Sequence, residues 1–383
     1  MIYLDYSATT PVDPRVVQAM TSYFTVSFGN PSSVHRYGQA AEAAIESARE
    51  TVAAVLNCRP DEIIFTSCGS ESDNLALRGA AYAMREETGA KWILASRAEH
   101  PAITKTLRHL EKYEGFLVEW LDVDANGRIT PETVSKAICN ETALVSVMYA
   151  NNEIGTINPI REIAEICRAH RILFHTDAVQ AAAYLPVDVQ SLGVDMMSLG
   201  AHKFYGPKGV GALYVRKGTS LVSHLTGGGQ EFGLRAGTQN VPYIVGFAEA
   251  LRLTDEEREQ RSAHVLPLRD RIIGTVLETI PNARLTGDLQ SRLPQHASFV
   301  FQVVDGNLLL TLLDAAGFAC SSGSACKTGN PEPSDVMNAL GLSREWGLGS
   351  LRVTLGKETT PEHVQAFLTV LPGLVEKART LGK

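Results

Sequence analysis

The chain reads as an α/β protein with a mostly parallel sheet and a smaller α+β unit beside it, and three observations predict this. Between about Arg36 and Leu253, alanine-rich stretches of helical periodicity take turns with short apolar or β-branched runs: "DEIIFTS", "KWILAS", "TALVSVMYA", "RILFHTD", "VDMMSLG" and "GALYV". Helix and strand in alternation are the mark of a mostly parallel sheet. At 383 residues the chain exceeds what one hydrophobic core sustains, so a second unit is expected. From about Asp255 a charged helical stretch, "DEEREQRSAHVLPLRDRIIGTVLETI", leads to more widely spaced strands, "HASFVFQV" and "SLRVTLG". The expected division is residues 15–254 for the large unit, and 1–14 with 255–383 for the small one.

Composition narrows the function classes. With 44% hydrophobic and 20% charged residues the chain resembles a soluble enzyme, and it has no apolar run of roughly 20 residues that would cross a membrane. The opening "MIYLDYSATTPVDPR" lacks the basic and long apolar regions of a secretory signal, which points to the cytoplasm. A formal charge of −7 with scattered basic residues argues against broad electrostatic binding to nucleic acid. Six cysteines without an export signal fit a reducing compartment. Cys58, Cys68, Cys139 and Cys167 stand alone and read as small buried hydrophobes. Cys320 and Cys326, in "CSSGSAC", form the close pair.

In α/β sheets ligands bind beyond the carboxyl ends of the strands, so the residues just after each run carry the functional reading. "EIIFTSCGSESDN" predicts strand, turn and helix, with Ser70 as N-cap, Asp73 completing an S-x-x-D box and Gly69 permitting the turn. The helix start serves either as a plain cap or, through its free N–H groups and dipole, as a phosphate site. Asp177 and Gln180 follow "RILFHT"; the acid serves as an N-cap or holds a protonated ring nitrogen. One strand-helix-strand unit later, "GAHKFYGPKGVGALYV" places Lys203 between a histidine and a glycine-rich turn. A lysine able to form a Schiff base, an acid for a pyridinium nitrogen and a helix start for phosphate are together what pyridoxal phosphate requires of a protein. His100, after "KWIL", is either a satisfied polar residue or an imidazole that stacks and moves protons. Asn151 and Asn152, in "YANNEIGT", are turn residues or amide partners of a bound oxygen.

The segment "GFACSSGSACKTGNPEP" is too rich in glycine and serine for a helix or central strand, which predicts a loop. Three readings of its cysteines compete: a metal pair, a redox pair, or an exposed nucleophile at Cys326. The C-x5-C gap matches no common zinc spacing, and no metal site is expected.

"YLDYSATTPVDP", "GNPSSVH", "FTSCGSESDN", "AEH", "NNEIGT", "HTDAVQ", "HKFYGPKGVGALYV", "GGGQE", "RAGT", "SSGSAC" and "LRVTLG" resemble, in order and over nearly the whole chain, the motifs of the NifS/IscS-type cysteine desulfurases of the class-V aminotransferase family. The resemblance implies the fold type I, aspartate aminotransferase-like architecture, a homodimer, pyridoxal phosphate, and removal of sulfur from L-cysteine to leave L-alanine and a persulfide on Cys326. Position by position it implies that Lys203 binds the cofactor aldehyde and His100 stacks on the ring as acid/base. Asp177 faces the pyridine nitrogen, and Gln180 and Asn152 the ring oxygen. Gly69, Ser70 and His202 hold phosphate, Thr238 reaches the phosphate of the neighbouring subunit, and Arg352, with Asn152, takes the substrate carboxylate. The stretch after Cys326 resembles the long-loop group, which implies a protein sulfur acceptor, either an iron-sulfur scaffold or a sulfur carrier. Two positions depart from the pattern: Gly200 replaces a serine usual three residues before the lysine, and Phe232 an arginine. Rival chemistry on this scaffold, selenocysteine lyase or transamination, is separated by substrate choice and by dependence on a keto acid.

Overall fold

The computed structural model of the chain describes residues 1–322 and 332–381. In chain order its strands are β1 (Ile2–Tyr3), β2 (Ile63–Thr66), β3 (Trp92–Ser96), β4 (Leu117–Leu121), β5 (Thr142–Ser146), β6 (Leu173–Asp177), β7 (Met196–Gly200), β8 (Gly211–Val215), β9 (Ala283–Leu285), β10 (His296–Phe301), β11 (Phe318–Ala319) and β12 (Ser350–Thr354). A central sheet runs β2-β8-β7-β6-β5-β3-β4. Only β8 is reversed, pairing antiparallel with both β2 and β7.

The apolar runs form this sheet because successive side chains leave opposite faces, and both faces are covered. Ile63 and Phe65, Met197 and Leu199, and Ala212 and Tyr214 enter one core, while Ile64, Met196, Leu213 and Val215 enter the other. The strand β4, which the apolar runs do not announce, lies at the sheet edge with Glu119 exposed in its middle. An edge strand with one wet face carries a weaker hydrophobic signal than its buried neighbours.

The helices Val241–Glu256 and Arg258–Thr279, separated at Glu257, lead to a second, antiparallel sheet in the order β12-β10-β9. The N-terminal segment joins this end of the molecule. β1 pairs parallel with β11, and Asp5 bridges Thr354. Two of the four solitary cysteines, Cys68 and Cys139, depart from the sequence reading. Cys167 is buried and Cys58 packs against the core, but Cys139 is exposed and Cys68 lines the cleft described next.

Candidate active site

A cavity of about 340 Å³ opens where the parallel strands end. Its wall collects the residue that follows each strand: Gly69 and Ser70 after β2, His100 after β3, Met148 and Asn152 after β5, Asp177 and Gln180 at the end of β6, and His202 and Lys203 after β7. Arg352, from β12, closes the far side. Side chains distant in sequence meet because the carboxyl ends of parallel strands share one edge.

Lys203 leaves β7 through one helical turn, Ala201–Lys203. Its Nζ donates to the carbonyls of Ser7 at 2.6 Å and Ala8 at 2.7 Å. Burial, aided by Arg352 and opposed by Asp5 and Asp177, lowers its pKa to about 8. The same N-terminal loop accepts Gln180 Nε2 on Ser7 O at 2.6 Å and places Thr9 Oγ1 3.2 Å from His202 Nδ1. Sequence reasoning missed this loop's role, because backbone carbonyls leave no side-chain signature. Its one signal was the motif "YLDYSATT".

His100 caps the helix Pro101–Glu114, its Nδ1 accepting from Ala102 N–H at 3.1 Å. A ring that accepts at Nδ1 carries its proton on Nε2. Burial, with Lys203 in support and Asp177 against, lowers its pKa and keeps it neutral near pH 7. Burial lowers His202 to about 4, with Lys203 and Lys208 adding to it. Asp177 accepts Val179 N–H at 2.8 Å. Burial raises its pKa against the pull of His100 and Lys203.

Behind it lie His175 and Glu99, which the sequence did not single out, and Asp73, which it read as part of a helix cap. His175 is buried between Ser146 Oγ at 2.9 Å and Ser198 Oγ at 3.0 Å, and burial lowers it to about 3. Glu99 accepts Met148 N–H at 2.8 Å. Burial, then the proximity of Asp177, holds Asp73 well above the carboxyl range, and burial does the same for Glu99.

The helix start differs from the expected cap. The helix Gly69–Thr88 begins one residue before Ser70, and its N-cap Cys68 makes no side-chain capping bond. Asp73 does not turn back on the cap. It is buried, with Oδ1 3.7 Å from His175 Nε2. The cause is packing: a Cβ at Gly69 would meet Val179 Cγ2 at 2.6 Å, so glycine lets the helix begin hard against the turn after Asp177.

The two asparagines separate. Asn151 is buried and holds the turn, its Oδ1 accepting from Glu153 and Ile154 and its Nδ2 donating to Ala98 O at 2.8 Å. Asn152 lines the cavity, and its carbonyl accepts Arg352 Nη1 at 2.9 Å.

Two positions named from the sequence, Thr238 and Phe232, fall outside the cleft. Thr238 is exposed and lines a separate surface pocket with Ser67, Arg235 and Gln239. Phe232 takes the Arg49 guanidinium 5.0 Å from its ring centroid, and Arg49 pairs with buried Glu231 at 2.8 Å, so a cation stands beside this position from another part of the chain. Cys326 lies outside the described residues. The chain leading to it is tied to the cleft, since Ser321 and Arg352 exchange backbone hydrogen bonds, Arg352 N donating at 2.7 Å. On the far side Ser334 Oγ donates to Glu153 Oε2 at 2.6 Å.

The donor set fits pyridoxal phosphate. A half-buried lysine of lowered pKa suits the aldehyde, a buried carboxylate at a strand end suits a ring nitrogen, and an uncapped start of a long helix suits a phosphate. At Gly200 a Cβ would stand 3.5 Å from Gly69 N and 3.4 Å from Val179 Cγ1, so packing admits a larger residue and the serine hydroxyl is absent without being excluded.

Comparison with known proteins gives the same answer. A family model described as aminotransferase class-V matches residues 2–367. Cysteine desulfurase IscS of Dictyoglomus turgidum is 45% identical over 99% of this chain and 96% of its own. A solved NifS-like protein superposes with a TM-score of 0.91 at 37% identity, covering 98% of this chain and 99% of its own. SspA, solved in complex with cysteine, gives 0.81 at 35% identity over 94% of this chain and all of that one. With a matched family model and full-length relatives on one side, and a lysine, a carboxylate and an open helix start around one cleft on the other, this chain belongs to the class-V aminotransferase family.

Proposed function

We infer that this protein is a pyridoxal phosphate-dependent cysteine desulfurase, which takes sulfur from L-cysteine, releases L-alanine and holds the sulfur as a persulfide on Cys326. The observation that carries the reading is Lys203 Nζ, drawn to a pKa of about 8 in a cleft shared with Asp177, His100, Gln180, the helix start at Gly69, and Arg352. Gly69, Ser70 and His202 would hold the phosphate, Lys203 the aldehyde carbon, Asp177 the ring nitrogen, and Gln180 and Asn152 the ring oxygen. The bound cofactor supplies an electron sink for the bond broken at the substrate's Cα.

The chain's own residues do the rest. Lys203 Nζ, partly neutral near pH 8, takes the Cα proton. His100 Nε2–H stands ready to give a proton and take it back. Arg352 binds the substrate carboxylate through a planar fork. The thiolate of Cys326 attacks the substrate sulfur, so an S–S bond forms, the Cβ–S bond breaks with its electron pair left on carbon, and protonation of that carbon completes alanine. Covalent connection holds Cys326 within about 17 Å of Ser321, five residues away at full extension.

A homodimer in which Thr238 reaches the partner's phosphate belongs to the same proposal. It is supported by Thr238 being exposed outside the cleft, and by Phe24, Val26, Phe28, Val34, Tyr37 and Phe232, each more than half exposed. So does the division into residues 15–254 and 1–14 with 255–383, supported by the pairing of β1 with β11. A protein acceptor, either an iron-sulfur scaffold or a sulfur carrier, receives the persulfide, and the cytoplasm is the site of action. No helix among the described residues is long and apolar enough to cross a membrane.

The test is product analysis. With L-cysteine and a thiol reductant the purified holoenzyme should form alanine and sulfide in equal amounts. Cys326→Ser should keep the visible absorbance of the cofactor and lose sulfide production; full turnover by that variant would remove Cys326 from the mechanism.

A further inference from the structure

Arg352 is held by partners from two other segments of the chain. Its Nη1 donates to Asn152 O at 2.9 Å and its Nη2 to Asp5 Oδ1 at 2.9 Å, while the backbone on both sides is pinned. Asp5 bridges Thr354 on β12, its carbonyl accepts the Tyr3 hydroxyl at 3.0 Å, and Ser7 N–H donates to Thr354 Oγ1 at 2.9 Å. The two charged side chains are 8% and 16% exposed, a setting in which a paired carboxylate is not interchangeable with water. Arg352 is part of the cleft wall and Asp5 is not, so the acid grips the guanidinium from behind the wall. The third guanidinium nitrogen, Nε, is buried and has no protein partner, and Nη1 and Nη2 each keep a second N–H.

We propose that Asp5 is a positioning residue for cysteine recognition: its carboxylate locks the Arg352 guanidinium in one orientation, so that the edge facing the cleft meets the substrate carboxylate without first losing rotamer freedom. The physical basis is general. A planar fork discriminates only when its plane is fixed, and a long side chain with one donor tied to a backbone carbonyl still rotates unless a second donor is tied as well. The proposal rests on the reading that Arg352 takes the carboxylate of cysteine.

Steady-state kinetics of the holoenzymes of wild type, Asp5→Asn, Asp5→Ala and Arg352→Lys test both layers, with cofactor absorbance and thermal melting recorded for each. Asp5→Ala is expected to raise KM for cysteine about tenfold, with a smaller fall in kcat, whereas Asp5→Asn, which keeps an acceptor for Nη2, raises it about threefold. An equilibrium titration of each holoenzyme with L-alanine, followed by absorbance, should show the same ranking. If Arg352→Lys raises KM but neither Asp5 variant does, the positioning role is overturned and the substrate reading stands. A fall in KM for Asp5→Ala would make Asp5 a competitor for the arginine and also overturn it. No change in Arg352→Lys removes the substrate reading and the proposal with it. Should Asp5→Ala melt below the assay temperature, the isosteric Asp5→Asn carries the comparison alone.

Discussion

Lys203 illustrates how a common side chain becomes reactive. An amine at its ordinary pKa of about 10.4 is roughly 0.1% neutral at pH 7.5, whereas one near 8 is roughly a quarter neutral. The neutral form is the nucleophile, so cofactor uptake by the apo-protein should speed up as pH rises toward about 8 and level off above it. Stopped-flow absorbance at constant ionic strength measures this, and a flat profile from pH 6 to 9 would refute it. Lys203→Ala should lose the visible absorbance of the bound cofactor, and turnover with it by about 10³-fold or more. His100 shows the opposite use of burial: capping through Nδ1 decides which nitrogen holds the proton, and a lowered pKa keeps the ring neutral.

The helix Gly69–Thr88 works at its first residue, where the chain must pass beside Val179. Gly69→Ala puts a methyl 2.6 Å from Val179 Cγ2, and should cost about 1–3 kcal/mol in urea denaturation while weakening cofactor retention on dialysis. Gly200→Ser faces no such obstacle. Its hydroxyl would sit beside the same helix start, and the Kd for the cofactor, measured by fluorescence titration, should fall by about threefold to tenfold. The contrast between two glycines that both face Val179 separates a packing requirement from a missing contact. The N-terminal loop is the third element of the site. It contributes carbonyls, which is why Ser7 and Ala8 could not be picked out from residue types.

Two of the three sheets among the described residues supply side chains to one cleft, with Lys203, His100, Asp177 and Gln180 delivered by the seven-stranded sheet and Arg352 by the three-stranded one. Thr238 stands outside this cleft, so the chain alone leaves one expected phosphate contact unmade. Sedimentation equilibrium should give twice the mass of the chain. Charged residues at Phe28 and Tyr37, whose ring centroids lie 5.6 Å apart on the exposed apolar surface, should shift it to the single-chain mass and loosen the cofactor. A monomer that retains cofactor and full activity would end the dimer proposal.

Local pattern was enough for the alternation of strand and helix and for the cleft-lining side chains at strand ends, because a buried parallel strand needs an unbroken apolar run and the residues that face a cleft come directly afterwards. It also drew attention to Lys203, which stands between a histidine and a glycine-rich turn just before an apolar run. Local pattern could not place the start of the helix at Gly69, the carbonyl partners of Lys203, the buried Glu99 and Asp73, or the pairing of Asp5 with Arg352. Each of these depends on contacts between segments brought together only by folding: Asp5 meets a residue 347 positions away, and Lys203 meets carbonyls 195 and 196 positions away. Burial, and with it every shifted pKa in the cleft, is a property of the packed chain and is written in no single stretch of it.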